Sequence, residues 1–146
     1  MNYHRILIVT EDNPSALKAA RCGYELAMQL KAKVALVGVV EQGLLEGDVD
    51  AGIFPAQGAQ SLKKDMEVFL EKIEKDYSQG TDTERFAPAG EIQATILQLA
   101  KEWEADLIVA GTHGRKGLNR LLMGSMAEGI LRESTIPVFI VPMDKA

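Results

Sequence analysis

At 146 residues the chain has room for one hydrophobic core and none for a separate catalytic domain, so residues 1–146 are read as a single domain. Hydrophobic residues at 47% and charged residues at 25%, with a mean hydropathy of -0.02, exclude a chain that is mostly disordered or embedded in a membrane. A net charge of -5 excludes a general affinity for nucleic acid or anionic lipid, both of which need a basic surface, so any anion must be caught by a local feature.

In chain order, residues 6–9 are a short apolar run of strand length, too short for a signal peptide. Asn13 and Pro14 then suit the N-cap and first position of a helix running to Leu30. Cys22 lies within it and is assigned no role; a lone cysteine cannot form an internal disulfide, and a reduced, cytoplasmic protein is expected. Residues 34–40 form a second strand, followed by a glycine-rich connection over 41–60 that is either a lid or a solvated insertion. Leu62, Met66, Phe69, Leu70, Ile73 and Tyr77 make the stripe of a second helix, and residues 83–87 a weaker, partly exposed edge strand. Ile92, Ile96, Leu99, Ala100 and Trp103 make a third stripe, residues 107–110 a fourth strand, 125–132 a short fourth helix and 137–141 a last strand.

The strands are continuously apolar rather than alternating, which suits a sheet covered on both faces. The expected fold is therefore α/β, a single-domain open parallel five-stranded sheet with right-handed crossovers and helices on both faces. In such sheets ligands bind beyond the carboxyl ends of strands where the chain departs to opposite sides. With a strand order of 3-2-1-4-5, the ends of the first and fourth strands border one crevice. From Leu107 through Ala127 there is no acidic residue, while Arg115, Lys116 and Arg120 are present, in a chain that is acidic overall. Gly111 and Gly114 allow close backbone approach, and Gly124 with Ser125 opens a helix whose free N–H groups favour phosphate. The plainer reading is a strand end followed by an ordinary loop and N-cap. Neither G-x-x-x-x-G-K-[ST] nor G-x-G-x-x-G occurs, which argues against P-loop or kinase chemistry.

The spacing Gly111-x2-Gly114-x9-Gly124-Ser125 resembles the nucleotide-binding signature of the ATP-binding branch of the universal stress protein family. The likeness extends to Arg5-Ile6-Leu7-Ile8-Val9, Gly38-Val39-Val40-Glu41, Gly90, Ala105-Asp106-Leu107-Ile108-Val109-Ala110 and Ile136-Pro137-Val138-Phe139-Ile140-Val141. That resemblance implies a Rossmann-like fold of the adenine nucleotide alpha hydrolase type. It implies ATP as ligand, with Gly111, Gly114, Gly124 and Ser125 around phosphates and ribose, and Ala110 and Met126 giving flanking backbone contacts. Val39 would touch adenine and Val9 would line the same pocket, while Arg115 is counted among the binding residues from the acid-free, basic stretch itself. Glu11 stands where the family usually has Asp, in Glu11-Asp12-Asn13 rather than Asp-Gly-Ser, a departure that bears on the adenosine end. The resemblance also implies a homodimer through Val138, Phe139, Ile140 and Val141, which form an uncharged strand at a sheet edge.

Catalysis has less support than binding. Glu11, Asp12 and His113 are the nearby titratable groups, and none is a convincing base, so no catalytic or metal-ligating residue is assigned. ATP is expected to bind with Mg²⁺ held through its phosphates and to turn over slowly or not at all, acting on an unidentified protein partner. The alternatives are an enzyme that splits ATP or transfers a nucleotidyl or phosphoryl group, and a dimeric scaffold that binds no nucleotide. A phospho-accepting receiver domain is set aside, because Phe86-Ala87-Pro88 stands where its acceptor Asp would follow the third strand.

Overall fold

The computed structural model describes residues 2–41, 55–112 and 125–143. In chain order the elements are β1 (Arg5–Val9), α1 (Pro14–Leu30), β2 (Lys33–Val37), β3 (Val40–Glu41), α2 (Pro55–Tyr77) and β4 (Thr83–Phe86). They continue with β5 (Ala89–Gly90), α3 (Ile92–Glu102), β6 (Leu107–Gly111), α4 (Ser125–Glu133) and β7 (Val138–Val141). The main sheet has the order β4-β2-β1-β6-β7 with every pairing parallel, which is the expected 3-2-1-4-5 arrangement of the five long strands.

Side chains alternate strictly across this sheet. Ile6, Ile8, Val34, Leu36, Leu107, Val109 and Val141 pack on one face with residues of α1 and α2, among them Ala19, Tyr24, Leu70 and Ile73. Leu7, Val9, Ala35, Val37, Ile108 and Ala110 pack on the other with Ile96, Ala100 and Trp103 of the α3 region and Ile130 of α4. Both faces are covered, which is why the strands read as unbroken apolar runs. Burying each of the largest side chains, such as Ile6 and Ile8, stabilises the fold by about 1.5–3 kcal/mol.

Local chemistry explains the element ends. Asn13 Oδ1 accepts the Ala16 N–H at 2.8 Å, capping α1, and the helix closes at Lys31 in the left-handed conformation. Glu91 caps α3 by accepting from Gln93 and Ala94. Tyr24, fully buried on α1, places its hydroxyl 3.1 Å from Thr83 Oγ1, and burial pushes its pKa up to about 12.

Two expectations are corrected. Residues 34–40 are not one strand, because the chain leaves the main sheet at Gly38–Val39 and Val40 and Glu41 pair with Ala89 and Gly90 in a separate two-stranded sheet. Pro88 on the neighbouring segment has no N–H to continue the ladder, and the main-sheet pairing ends beside it, with Gly38 N–H bonded to the Phe86 carbonyl and Val40 N–H to that of Pro88. The connection assigned to 41–60 is also shorter, since α2 begins at Pro55. Proline suits a first helical turn because the N–H it lacks has no partner there. The rest of that segment lies outside the described residues, and so does the question of a lid.

At the amino ends of the strands a polar network ties the sheet together. The Arg5 guanidinium lies 4.1 Å from the centre of the Trp103 ring and donates Nε–H to the Trp103 carbonyl at 2.8 Å. The Trp103 indole N–H donates to Glu84 at 2.6 Å, and Asp106 accepts the backbone N–H groups of His4 and Arg5. The indole bond, helped by Lys33 and Arg5, holds the Glu84 carboxyl below the usual carboxylate range. Its stabilising contribution is therefore complete above the unfolded-state pKa of about 4.3 and is lost as pH falls through the lower folded value. The unfolding midpoint of Glu84→Gln is expected to lie below wild type at neutral pH, with the gap closing on acidification in a pH series of thermal melts. A gap that widens toward acid would show that the carboxylate opposes folding.

Candidate functional site at the carboxyl ends of the first and sixth strands

From β1 the chain turns to α1 on one face of the sheet, whereas the chain leaving β6 returns as α4 on the other. The carboxyl ends of β1 and β6 are adjacent, because these strands pair from Ile6 opposite Leu107 to Ile8 opposite Val109. A crevice between oppositely departing connections is where open α/β sheets bind ligands.

Several of the predicted site residues meet here. Val9, Val39 and Ala110 are buried in one apolar cluster on the α3–α4 face, with Met126 of α4 packed against it. Val9, Val39 and Ala110 are therefore packed into the core rather than protruding from it. Gly111 is the last residue of β6, and a Cβ there would strike the Ser15 side chain and lie 2.8 Å from the Ser15 carbonyl oxygen. Its missing side chain thus makes room for the first turn of α1. Ser125 is the first residue of α4. Gly114, Arg115 and Gly124, along with Lys116, Arg120 and His113, lie outside the described residues.

Glu11 occupies the other side of the crevice. With Asp12 and Asn13 it borders a cavity of about 240 Å³ whose opposite wall is Leu62, Asp65, Met66 and Phe69 of α2. Asn13 Nδ2 donates to Glu11 Oε2 at 2.9 Å, and the Asn13 N–H donates to the Glu11 carbonyl at 2.9 Å. A larger cavity of about 530 Å³ opens between α3 and residues 133–136, but it is bordered by Ala105 and Ile108 at the amino end of β6 and is remote from this crevice.

One residue escaped the sequence reading. Thr10 follows β1 and its N–H still bonds the Val37 carbonyl at 2.9 Å, yet its hydroxyl is wholly buried and has no hydrogen-bond partner among the described residues. Buried hydroxyls are nearly always satisfied, so an orphan at a switch point marks a place where a ligand can supply the partner. Only its position, a polar residue ending an apolar strand, could have signalled it. Among the described residues no group of three His, Cys, Asp or Glu side chains is placed to hold a metal ion, and no helix is long and apolar enough to cross a membrane.

Residues 2–142 match the model of the Universal stress protein family. The chain belongs to that family. Universal stress protein MJ0531 of Methanocaldococcus jannaschii is 31% identical to it over 98% of this chain and 84% of its own length. The solved structure of MJ0577, from the same organism, covers 100% of both chains with a TM-score of 0.87 at 22% identity, which speaks for the fold. A universal stress protein structure in complex with cAMP superposes with a TM-score of 0.69 at 22% identity over 99% of this chain and 100% of its own. One from Archaeoglobus fulgidus in complex with dAMP does so with a TM-score of 0.59 at 20% identity over 96% and 98%. Members of this universal stress protein fold have thus been captured with adenine nucleotides.

Proposed function

We propose that this chain is an ATP-binding universal stress protein that acts as a nucleotide-dependent regulatory dimer in the cytoplasm and hydrolyses ATP slowly or not at all. The observation that carries the reading is the fully buried Thr10 hydroxyl at the switch point, which has no hydrogen-bond partner among the described residues. Support also comes from the apolar cluster of Val9, Val39, Ala110 and Met126 beside it, which suits an adenine ring. The stretch from Leu107 to Ala127 leads without an acidic residue into α4, whose first-turn N–H groups suit phosphate. The family relatives captured with cAMP and dAMP point to the same ligand class.

In this reading Gly111, Gly114, Gly124 and Ser125 surround the phosphates and ribose with Arg115 supplying charge. Val9, Val39, Ala110 and Met126 border the base, and Glu11 stands at the adenosine end. Mg²⁺ is held through the phosphates. The dimer forms through β7, an edge strand on which Phe139 is 44% exposed and no charged side chain discourages pairing. A changed surface around the nucleotide then meets a protein partner.

Thr10→Val separates the ligand's share of this site from the fold's. Valine keeps the shape and removes a buried hydroxyl that has no partner among the described residues, so the nucleotide-free variant is expected to melt at or above the wild-type temperature. Its affinity for Mg-ATP is expected to fall about tenfold, the effect of one lost hydrogen bond at a desolvated site. Calorimetric titration of both proteins, with melts in parallel, reads the two effects. No saturable binding by wild type at millimolar Mg-ATP would overturn the reading, and an undiminished affinity in the variant would remove Thr10 from it.

A further inference from the structure

Met66, midway along α2, has two neighbours of different kinds. On one side its thioether lies directly over Gly38, where a Cβ would strike Met66 Sδ and stand 3.1 Å from its Cγ and 3.2 Å from its Cε. On the other it borders the cavity of about 240 Å³ between α2 and residues 11–13, and its side chain is half-buried against the core. Such a volume holds several waters at about 30 Å³ each, so a solute of similar size can reach the sulfur.

Gly38 is where the chain leaves the main sheet, with its N–H held by the Phe86 carbonyl at 3.0 Å and the Val40 N–H by that of Pro88 at 2.8 Å. No side chain separates this crossover from α2, so the sulfur itself makes the contact. A methionine thioether is apolar and adaptable, whereas its sulfoxide is polar, chiral and one oxygen larger. An oxygen turned toward Gly38 meets main chain already in contact, and one turned toward the cavity puts a polar group beside Leu62 and Phe69, which border it.

We infer that Met66 is an oxidation site through which hydrogen peroxide loosens α2 from the Gly38 crossover. The carboxylates of Asp12 and Asp65 on the cavity border disfavour an anionic oxidant, whereas neutral peroxide enters. A sulfur lone pair attacks one peroxide oxygen, and the O–O bond breaks as the S–O bond forms. The second oxygen takes up the proton of the first and leaves as water. Sulfur loses two electrons and peroxide gains them, and methionine sulfoxide reductase reverses the change. The inference is independent of the nucleotide reading.

Met66→Leu tests it, because leucine keeps the apolar volume, which cores tolerate, and has no sulfur to oxidise. Wild type, Met66→Leu and Met143→Leu are treated with millimolar hydrogen peroxide, mapped by peptide mass spectrometry and melted before and after treatment. Met143 is 40% exposed and serves as the accessible comparison. Wild type is expected to gain one oxygen at Met66 and to lose about 5 °C in its unfolding midpoint, with the loss recovered after incubation with the reductase. Met143→Leu is expected to lose as much, and Met66→Leu less than about 2 °C. Conversion of Met143 with Met66 untouched would overturn the inference, as would a converted Met66 with an unchanged midpoint or an equal loss in Met66→Leu.

Discussion

Gly111→Val is expected to lower the unfolding midpoint by about 10 °C. A Cβ at this position would strike the Ser15 side chain and lie 2.8 Å from the Ser15 carbonyl oxygen and 2.9 Å from its carbonyl carbon. Backbone cannot swing aside as a side-chain tip can. Ser15 is buried in the first turn of α1, and moving it would lift Ala16, Ala19 and Ala20 off the sheet. Overpacking a core costs about 1–3 kcal/mol, and the larger figure applies where the obstacle is main chain. At roughly 2–4 °C per kcal/mol for a domain of this size, that gives the stated shift. Differential scanning calorimetry measures it, and a midpoint within 2 °C of wild type would show that the helix yields easily.

Gly124→Val is expected to do the reverse, abolishing saturable Mg-ATP binding while leaving the melting temperature within about 2 °C of wild type. Gly124 immediately precedes Ser125, where α4 begins. The first N–H groups of a helix have no partner within it and are available to an anion, and a branched side chain at the entrance obstructs the approach. Calorimetry and thermal melts on the same preparation give both quantities. Retained affinity would move the phosphates away from this helix. The two glycines belong to one spacing in the sequence, yet the first is required by packing and the second is proposed to serve the ligand.

That division was invisible in the chain itself. The pattern placed Gly111 at a strand end but could not show that Ser15, far away in sequence, fills the space above it. The sheet was legible because strands covered on both faces must be apolar throughout, and 6–9 and 107–110 both are. Asn13 and Pro14 announced α1 through chemistry confined to adjacent residues. The break at Gly38–Val39 was not legible, since it lies beside Pro88, in the segment between β4 and β5, and the apolar run passes through it with one glycine. Val9, Val39 and Ala110, expected near the ligand, lie in one buried apolar cluster, whereas Thr10 was not singled out, because a hydroxyl without a partner among the described residues is defined by what surrounds it. The tie between Asn13 and Glu11 depends on rotamers and had no signature beyond the two residue types.

The strand order also dictates when the crevice comes into being. β1 meets β2 across a single helix and β2 meets β4 across another, so three of the five strands can assemble from the earlier part of the chain. Its other edge, the β1 side facing β6, stays bare until the last third has been synthesised and α3 has crossed over. A nascent chain therefore exposes Ile6, Leu7 and Ile8 along an unpaired strand edge for much of its time on the ribosome, and its vulnerability to misassociation ends only when β6 docks. Because that same docking creates the crevice, a compound bound there acts as a clasp on the final joint of the molecule and draws late intermediates toward completion by mass action.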